Sequence, residues 1–373
     1  MMIYKVEEKM KFNEALKEIK TYEAGKPIEL VVREFGIESK DVVKLASNEN
    51  PMGCSKRVEK AIAKNAHKAF LYPDDSMFEL KEALASKFSV EDENIIIGAG
   101  SDQILEFISR ALLSADDSVL MSQVTFAMYA IYAKQMGAKI VRTPSYEHKV
   151  DEFIEAYNEH KPKVVYICTP NNPTGDAIKR EDVLKIIEAI DKETLVVIDG
   201  AYMEYAAAKD EAYRIEPKDI LGFSNVIYLG TFSKAYGLGG MRVGYGIANT
   251  QLIYELYKMR PPFNITTLSL LAAIEAIKDE SFVEESMALY RDEVVRYETF
   301  AKEQGLSYIE SYTNFITYLL SDKIDSTYVS DELLKQGVII RNLASYKMNA
   351  VRITIGTKEQ NDRLFEVLRR VLR

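Results

Sequence analysis

Between residues 94 and 248 the sequence alternates short apolar, β-branched runs with helical patterns, and this alternation restricts the possible folds more than any other feature. The runs are NIIIG, SVLMS, AKIVRT, KVVYICT, TLVVID, NVIYLG and MRVGYGIA. Strands that alternate with helices form a mostly parallel sheet, because each helix returns the chain to the same end of the sheet. We therefore predict an α/β fold in which a seven-stranded, mostly parallel sheet lies between helices on both faces.

The remaining sequence predicts two further parts of the chain. Residues 1–45 hold two short helical patterns with too little apolar periodicity for a domain, so we interpret them as an arm that packs with the smaller unit. Residues 46–262 form the predicted large domain, which ends where Pro261 and Pro262 stop helix formation. In residues 263–373 two long helical patterns precede the strand patterns NFITYLL, VIIRN and VRITIG, which predicts a smaller α+β domain. A chain of 373 residues with 47% hydrophobic content is sufficient for two such cores.

The charge distribution argues against two classes of partner. The net charge of -9 arises from 48 basic and 57 acidic residues spread along the chain without a basic tract, so neither nucleic acid nor an anionic membrane is an expected partner. The N-terminal sequence carries charges throughout, and no apolar run approaches the roughly 18 residues of a membrane helix. We therefore expect a cytoplasmic protein.

Cysteine and histidine are too sparse to indicate a metal site. The two cysteines, Cys54 and Cys168, and the three histidines show no ligand spacing. We expect no metal, no disulfide framework and no serine-histidine-aspartate triad.

The segment TFSKAYGLGGMRVGYG, residues 231–246, follows a strand pattern and places Lys234 just past the carboxyl end of that strand. Open α/β sheets bind their ligands at this edge. A lysine amine can form an imine, while Thr231, Ser233, the following glycines and Arg242 can hold a phosphate beside it. Pyridoxal phosphate needs both functions, so we predict it as the cofactor. The alternative is a glycine-rich turn with a solvated lysine.

Three other strand ends carry groups that suit a flat, phosphorylated cofactor. GAGSDQ opens a helix whose backbone N–H groups, together with Ser101, would receive a phosphate. It half-matches a dinucleotide fingerprint, but Gln103 stands at the third glycine position and no acidic residue ends the next strand, which disfavours nicotinamide cofactors. Phe126 could stack on a planar ring, and Asn172 in TPNNPTG supplies an amide. The alternatives are a capped helix start, a core aromatic ring and a common turn.

Asp199 ends the apolar run TLVVID. A buried carboxylate there would need a cationic partner, and a protonated pyridine nitrogen is such a partner. Tyr202, three residues later, could donate to the ring oxygen. The alternative is a hairpin turn at Asp199 and Gly200. Because the helix start, the ring, the amide, the carboxylate and the lysine all follow separate strands of one sheet, independent turns are the weaker interpretation.

The combination of GSDQ, Phe126, NNPTG, Asp199 with Tyr202, and TFSKAYGLGGMRVG resembles the fold-type I pyridoxal-phosphate aminotransferases. Within them TYEAGKP, LASNENP, LYPDD, RPPFN and VRITIG are similar to the histidinol-phosphate aminotransferase family, and the resemblance runs from about Tyr22 to the C-terminus.

The resemblance implies roles for individual residues. Lys234 would bind the cofactor covalently, with Asp199 on the ring nitrogen and Tyr202 beside Asn172 on the ring oxygen; we take Lys234, Asp199 and Tyr202 as catalytic. Phe126 would stack on the ring. The other cofactor-binding residues would be Ser101, Asp102, Gln103, Thr231, Ser233 and Arg242, with Tyr72 reaching the phosphate from the second subunit of a homodimer.

The same resemblance implies the reaction and the substrate pocket. Histidinol phosphate and 2-oxoglutarate would be converted to imidazole acetol phosphate and glutamate in histidine biosynthesis. The substrate-binding residues would be Tyr22, Asn48, Arg341 and Arg352, with Arg352 gripping the carboxylate of glutamate. From the residues alone, Asn48 could equally be a turn former, and Arg341 could be a surface charge.

Two positions depart from the family pattern. Gly200 in DGAY replaces the acidic residue of the usual DEAY, and Phe126 replaces a frequent tyrosine. Three rival functions remain open: an aromatic amino acid aminotransferase, a decarboxylase of a phosphorylated amino acid on this fold, and a regulatory protein that binds the cofactor without catalysis.

Overall fold

The computed structural model of the protein describes residues 10–19 and 28–373. Its α-helices are α1 Ile28–Phe35, α2 Lys56–Asn65, α3 Phe78–Phe88, α4 Ser101–Leu112, α5 Ala127–Gln135, α6 Val150–His160, α7 Arg180–Glu188, α8 Met203–Lys209, α9 Pro217–Ile220, α10 Thr250–Tyr257, α11 Thr267–Ile277, α12 Glu280–Gln304, α13 Ser326–Lys335 and α14 Lys358–Val371.

The strands follow the same chain order. They are β1 Val43–Lys44, β2 Ile95–Gly98, β3 Ser118–Met121, β4 Lys139–Arg142, β5 Val164–Cys168, β6 Leu195–Asp199, β7 Val226–Thr231, β8 Gly244–Ala248, β9 Ser307–Ile309, β10 Phe315–Leu319, β11 Val338–Ile339, β12 Arg341–Asn342 and β13 Ala350–Thr354.

Seven strands form one large sheet in the order β2-β8-β7-β6-β5-β3-β4. Only β8 runs against its neighbours, β2 and β7, so the carboxyl ends of the other six strands share one edge. Strands β5, β6 and β7 are buried along their whole length, as apolar strands in a sheet covered on both faces should be. The predicted mostly parallel, seven-stranded sheet is confirmed.

Two helical layers cover this sheet, and successive strand residues alternate between them. Val196 and Ile198 pack into the core that contains residues of α7, α8 and α11, whereas Val197 packs into the core formed with α4, α5 and α10. This alternation follows from the two-residue period of a strand.

The C-terminal part of the chain builds a second, antiparallel sheet in the order β12-β13-β10-β9. The pattern VIIRN, predicted as one strand, is divided in two. Val338 and Ile339 pair in parallel with β1 of the N-terminal segment, whereas Arg341 and Asn342 join the four-stranded sheet. Strand β9 was not predicted, because three half-exposed residues give too short a pattern.

The N-terminal segment packs against the smaller unit through a small apolar cluster. Ala46, Leu334 and Ile339 form its buried centre, and Ile28 and Phe35 of α1 pack against it. We therefore propose, as the sequence suggested, that this segment is an arm of the smaller unit.

The contacts of the two helices after Pro262 favour a boundary between the two units that lies later in the chain than residue 263, the predicted position. Helix α11 packs against α2 and α3 of the large unit. Helix α12 contacts α8 of the large unit and also α14 and the four-stranded sheet of the smaller unit. We propose that the boundary falls within α12.

In residues 10–19 and 28–373, no helix has the length and apolar character needed to cross a membrane. Within the same ranges, no group of three or more histidine, cysteine, aspartate or glutamate side chains could hold a metal ion.

Candidate active site

The carboxyl edge of the large sheet brings together groups from four strand ends. Asp199 and Thr231 are the last residues of β6 and β7, and Lys234 follows three residues after Thr231. Ser101 opens α4 after β2, and Phe126 directly precedes α5 after β3. The predicted convergence at one edge follows from the common direction of these strands.

Asp199 is a deeply buried carboxylate, with 4% of the residue exposed. One carboxylate oxygen, Oδ2, accepts a hydrogen bond of 2.7 Å from the Tyr129 hydroxyl, and Oδ1 accepts one of 3.1 Å from the Ala201 backbone N–H. Burial raises the pKa of Asp199, and the two donors oppose that rise. In the described part of the chain no cationic side chain forms an ion pair with this carboxylate. The hairpin alternative is wrong, because β6 pairs in parallel with both β5 and β7.

Lys234 lies at the same edge of the sheet, close enough to Asp199 for each charge to shift the pKa of the other group. Its Nζ is 3.4 Å from the Ser47 carbonyl oxygen and 5.6 Å from the centre of the Tyr202 ring. Burial, and next the nearby Arg352 and Arg242 guanidinium groups, lower the pKa of Lys234 to about 8. Near neutral pH a much larger fraction of this amine is therefore neutral, and so nucleophilic, than of an ordinary lysine with a pKa of 10.5.

The N-terminus of α4 faces Arg242. Gly100, the residue before the helix, has φ of +76°, a conformation that favours glycine, and a Cβ atom there would lie 2.7 Å from Arg242 Nη2, the end of a flexible side chain. Arg242 Nη1 lies 3.4 Å from Ser233 Oγ and donates to the Gly239 carbonyl at 3.1 Å. Helix N–H groups, a hydroxyl and a guanidinium thus converge, which is the donor set that a phosphate requires.

Two acceptor side chains on α4 have different surroundings. The Tyr132 hydroxyl donates to Asp102 Oδ2 at 3.0 Å, while the buried Oδ1 has no hydrogen-bond partner in the described residues. Gln103 Oε1 accepts from the Ala99 N–H and from Asn264 Nδ2. The side-chain oxygen of Gln103 therefore holds the loop before α4, and its role as a cofactor ligand stays a prediction.

Arg352 connects the smaller unit to this edge. It is 8% exposed, and its guanidinium donates to Asn172 Oδ1 and, at 2.7 Å, to the Ala46 carbonyl oxygen. Asn48 Nδ2 donates to the Tyr202 hydroxyl at 2.8 Å. The predicted site residues thus form two hydrogen-bonded pairs at this edge, Arg352 with Asn172 and Asn48 with Tyr202.

Two predicted residues, Arg341 and Tyr72, lie farther out. Arg341 is the direct cross-strand partner of Arg352, so both side chains project from the same face of the four-stranded sheet. Tyr72 is 82% exposed, with its ring centre 4.8 Å from that of Phe263. Tyr22 lies outside the described residues.

The sequence analysis missed one hydrogen-bond chain entirely. His148 Nε2 lies 2.8 Å from Ser122 Oγ, and its Nδ1 lies 3.0 Å from Asp176 Oδ2. Although this order matches a hydrolytic triad, Ser122 is only 1% exposed, which leaves no access for a substrate. Asp176 also accepts from Thr174, which in turn accepts from Asn171, so the chain supports the loop that carries Asn172. No spacing signal could have found it, because the three residues come from separate segments.

The sequence matches the Aminotransferase class I and II family over residues 40–368. The chain belongs to this family. This class I and II aminotransferase is 75% identical over 356 residues to the histidinol-phosphate aminotransferase of Sulfurovum sp. (strain NBC37-1), a match that covers 95% of this chain and 98% of that protein. Its identity to the histidinol-phosphate aminotransferase of Sulfurimonas denitrificans is 58%, over 96% of this chain and 99% of that protein.

A solved structure has the same fold. It is the histidinol-phosphate aminotransferase of Sinorhizobium meliloti in complex with pyridoxal-5'-phosphate, with a TM-score of 0.88, 26% identity and 97% coverage of both chains. The fold class predicted from the sequence is thereby confirmed.

The structure also explains Gly200, the departure from the aminotransferase pattern. A Cβ atom at this position would lie 2.5 Å from the Tyr228 hydroxyl oxygen and 2.7 Å from two ring carbons. Tyr228 is buried on the neighbouring strand β7, so its ring occupies the space that any side chain at position 200 would need.

Proposed function

We propose that this aminotransferase transfers an amino group between histidinol phosphate and 2-oxoglutarate, with pyridoxal phosphate as cofactor, in histidine biosynthesis. The observation that carries the proposal is the presence, at one edge of the large sheet, of a lysine of lowered pKa and a buried carboxylate without a cationic partner in the described residues. The near full-length similarity to two proteins of that name supports the substrates.

The residues present fit the two ends of pyridoxal phosphate. Asp199 would accept the N–H of a protonated ring nitrogen, which would provide the cation that a buried carboxylate needs. The N-terminus of α4, with Ser233 and Arg242, would receive the phosphate. When bound, the cofactor supplies an aldehyde that reacts with amines and a ring that withdraws electrons from the bond to be broken.

We assign two tasks to Lys234. Its Nζ would hold the cofactor covalently until a substrate amine replaces it, and the released Nζ would then move the proton from the substrate carbon that bears the nitrogen. A pKa of about 8 suits both tasks, because the amine must be neutral to act as a nucleophile or as a base.

The other predicted residues would hold the reacting groups in place. Asn172 and Tyr202 would bind the ring oxygen, and Phe126 would stack on the ring. We revise the role of Asn48: since it donates to Tyr202, it would orient that hydroxyl and act on the substrate indirectly. The phosphate-binding residues would be Ser101, Asp102, Thr231, Ser233 and Arg242.

Substrate selection would depend on the two paired arginines. Arg352 would grip the carboxylate of glutamate, and histidinol phosphate, which lacks this carboxylate, would place its phosphate there. A second guanidinium then matters more, because a phosphate carries more charge and more acceptor oxygens than a carboxylate. Arg341 would supply that guanidinium, together with the hydroxyl of Tyr22.

We also propose a homodimer in which Tyr72 reaches the phosphate site of the partner. Its high exposure next to the exposed ring of Phe263 supports this assignment, since exposed aromatic rings mark interfaces. Mixing Lys234→Ala and Tyr72→Asp proteins under conditions of subunit exchange should restore about a quarter of wild-type activity, because half of the dimers are then mixed and each has one intact site. No recovery despite proven exchange would refute the shared site.

A cytoplasmic location is a further proposal. Cys54 and Cys168 are both free thiols, as expected in a reducing compartment. Recovery of the native protein in the periplasmic fraction of fractionated cells would contradict it.

The experiment that tests the function is a panel of amino donors in single turnovers, followed by the change in absorbance of the bound cofactor. We expect fast reactions with histidinol phosphate and glutamate, and a slower one with phenylalanine. Faster turnover of phenylalanine would indicate an aromatic aminotransferase, release of carbon dioxide from a phosphorylated amino acid would indicate a decarboxylase, and no turnover would indicate a protein without catalysis.

A further inference from the structure

Tyr129 lies on α5, behind the predicted cofactor site, and was not singled out by its sequence context. It is fully buried, and its hydroxyl is 2.7 Å from Asp199 Oδ2. Burial and, next, the charge of Asp199 raise the pKa of Tyr129 well above its ordinary value. The phenol therefore keeps its proton and acts as the hydrogen-bond donor to the carboxylate.

Two neighbouring rings fix the direction of this hydroxyl. Tyr129 stacks on Tyr166 with ring centres 4.6 Å apart and an angle of 4° between the planes, and it meets Phe126 edge to face at 5.6 Å. The Tyr166 hydroxyl lies 3.4 Å from Ser109 Oγ, so the stacked partner uses its own hydroxyl elsewhere. The ring of Tyr129 thus has little freedom to turn its hydroxyl away from Asp199.

Asp199 depends on few donors. The Ala201 backbone N–H is the other donor to its carboxylate in the described residues. The remaining titratable or charged groups around Asp199 and Tyr129 are Cys168 on β5, Asp102 on α4, Tyr202 before α8, Tyr228 on β7, and Lys234. Of these, only Lys234 favours the charged carboxylate, whereas Asp102 and burial oppose it.

We propose that Tyr129 is a positioning residue of the transamination reaction, whose hydroxyl keeps Asp199 ionised and oriented to receive the protonated ring nitrogen of the cofactor. The proposal rests on the proposed function for its role in catalysis. The underlying effect, that the Tyr129 hydroxyl stabilises the charged form of Asp199, can be measured in the protein without cofactor.

The test is an infrared titration of the full-length apoprotein labelled in its aspartate carboxyl groups. The difference between Asp199→Asn and its parent isolates the carboxyl band of Asp199. In Tyr129→Phe, which keeps the ring and removes the hydroxyl, we expect the pKa of Asp199 to rise by about one to two units, because a hydrogen bond to a charged group is lost. Tyr166→Phe is the matched control, since it removes a hydroxyl from the stacked ring without touching Asp199, and it should leave the titration unchanged.

A second measurement follows the proton in the holoenzyme. With cofactor labelled at the ring nitrogen, the nitrogen NMR signal of Tyr129→Phe should move toward that of an unprotonated ring, relative to Tyr166→Phe. The reason is that a more basic Asp199 carboxylate takes a larger share of the proton that lies between it and the ring nitrogen. Should Tyr129→Phe fail to fold, 3-fluorotyrosine at position 129 keeps the ring and is a stronger donor, so the pKa of Asp199 should fall below that of the wild type.

Equal titrations of Asp199 in Tyr129→Phe and Tyr166→Phe, or no response to the fluorinated ring, would overturn the proposal. The failure of the proposed function gives a different pattern. In that case no amino donor reacts with the wild-type holoenzyme, while the infrared titration still separates the two tyrosine variants.

Discussion

At the carboxyl edge of the large sheet, Asp199 and Thr231 end strands that are paired on both sides, whereas Arg341 lies in β12, a two-residue strand at the edge of the four-stranded sheet. The edge of the large sheet is completed within one unit, through contacts such as Tyr129 with Asp199 and Arg242 with Ser233. Arg352 of the smaller sheet instead donates to Asn172 and Ala46, both outside that sheet.

This difference suggests that the large unit alone positions most cofactor-binding groups, whereas substrate binding depends on both units. Among the groups proposed to bind the cofactor, Asp199, Ser233 and Arg242 have contacts within the large unit. Asn172 also accepts a hydrogen bond from Arg352 of the smaller unit. The groups proposed to bind the substrate are in place only when the smaller unit and the N-terminal segment pack against the large unit. Changes at Asp199 or Lys234 should therefore affect all substrates equally, whereas among the substrate-binding groups Arg341 should distinguish one substrate from the other.

The largest effect is expected for Lys234→Ala. Loss of the Lys234 amine should abolish transamination of histidinol phosphate and glutamate alike, because both need the same covalent attachment and the same proton transfer. The measurement is steady-state activity combined with borohydride trapping of the cofactor on the protein. A variant that still forms a trappable adduct would show that another lysine performs this task. Lys258→Ala, at the exposed C-cap position of α10, is the matched control.

The arginine pair should separate the two substrates. Arg352→Ala should reduce kcat/KM for both donors by on the order of a hundredfold, since it removes a buried, hydrogen-bonded charge. Arg341→Ala should reduce kcat/KM for histidinol phosphate about tenfold and leave glutamate nearly unchanged, because only the phosphate would use the second guanidinium. Equal losses for both donors in both variants would contradict this assignment of the two arginines.

The rate of cofactor capture should depend on pH through Lys234. Its pKa of about 8 lies below the ordinary value of 10.5, so below pH 8 the neutral fraction, and with it the capture rate, should rise about tenfold per pH unit. By the same shift, the unfolded apoprotein binds more protons than the folded one between about 8 and 10.5, so Lys234 should make stability rise with pH in that window. Stopped-flow mixing of apoprotein and cofactor measures the rate, and a profile with its midpoint near 10.5 would show an unperturbed lysine.

The smallest effect is expected for Gly200, which directly follows β6 at the same edge of the large sheet. Gly200→Ala should lower the free energy of unfolding by about 1–3 kcal/mol, because its Cβ would overlap the Tyr228 ring. Gly222→Ala is the control, since it has open space around the new methyl group. In a Tyr228→Leu background the cost at position 200 should largely disappear, which denaturant unfolding can measure as a double-mutant cycle. An unchanged cost in that background would mean that Tyr228 does not determine the glycine.

The sequence was most informative where a functional group directly follows a periodic pattern. Asp199, Lys234, Ser101 and Phe126 could be proposed because each follows an apolar run, and parallel strands place their carboxyl ends at one edge. Gln103 and Asn48 show the limit of that reasoning, because their side chains turn to Ala99, Asn264 and Tyr202. A residue type next to a motif does not reveal which neighbour its side chain will contact.

The sequence by itself therefore determined the α/β fold, the seven-stranded sheet and the sheet edge at which the predicted site residues lie, because hydrophobic periodicity and turn residues are local properties of the chain. The tertiary structure alone decided that Tyr129 donates to Asp199, that Arg352 binds an amide 180 positions away, and that Tyr228 excludes any side chain at position 200. These contacts join segments whose separation in the chain leaves no periodic signal, and they depend on how the helices and the smaller unit pack against the sheet.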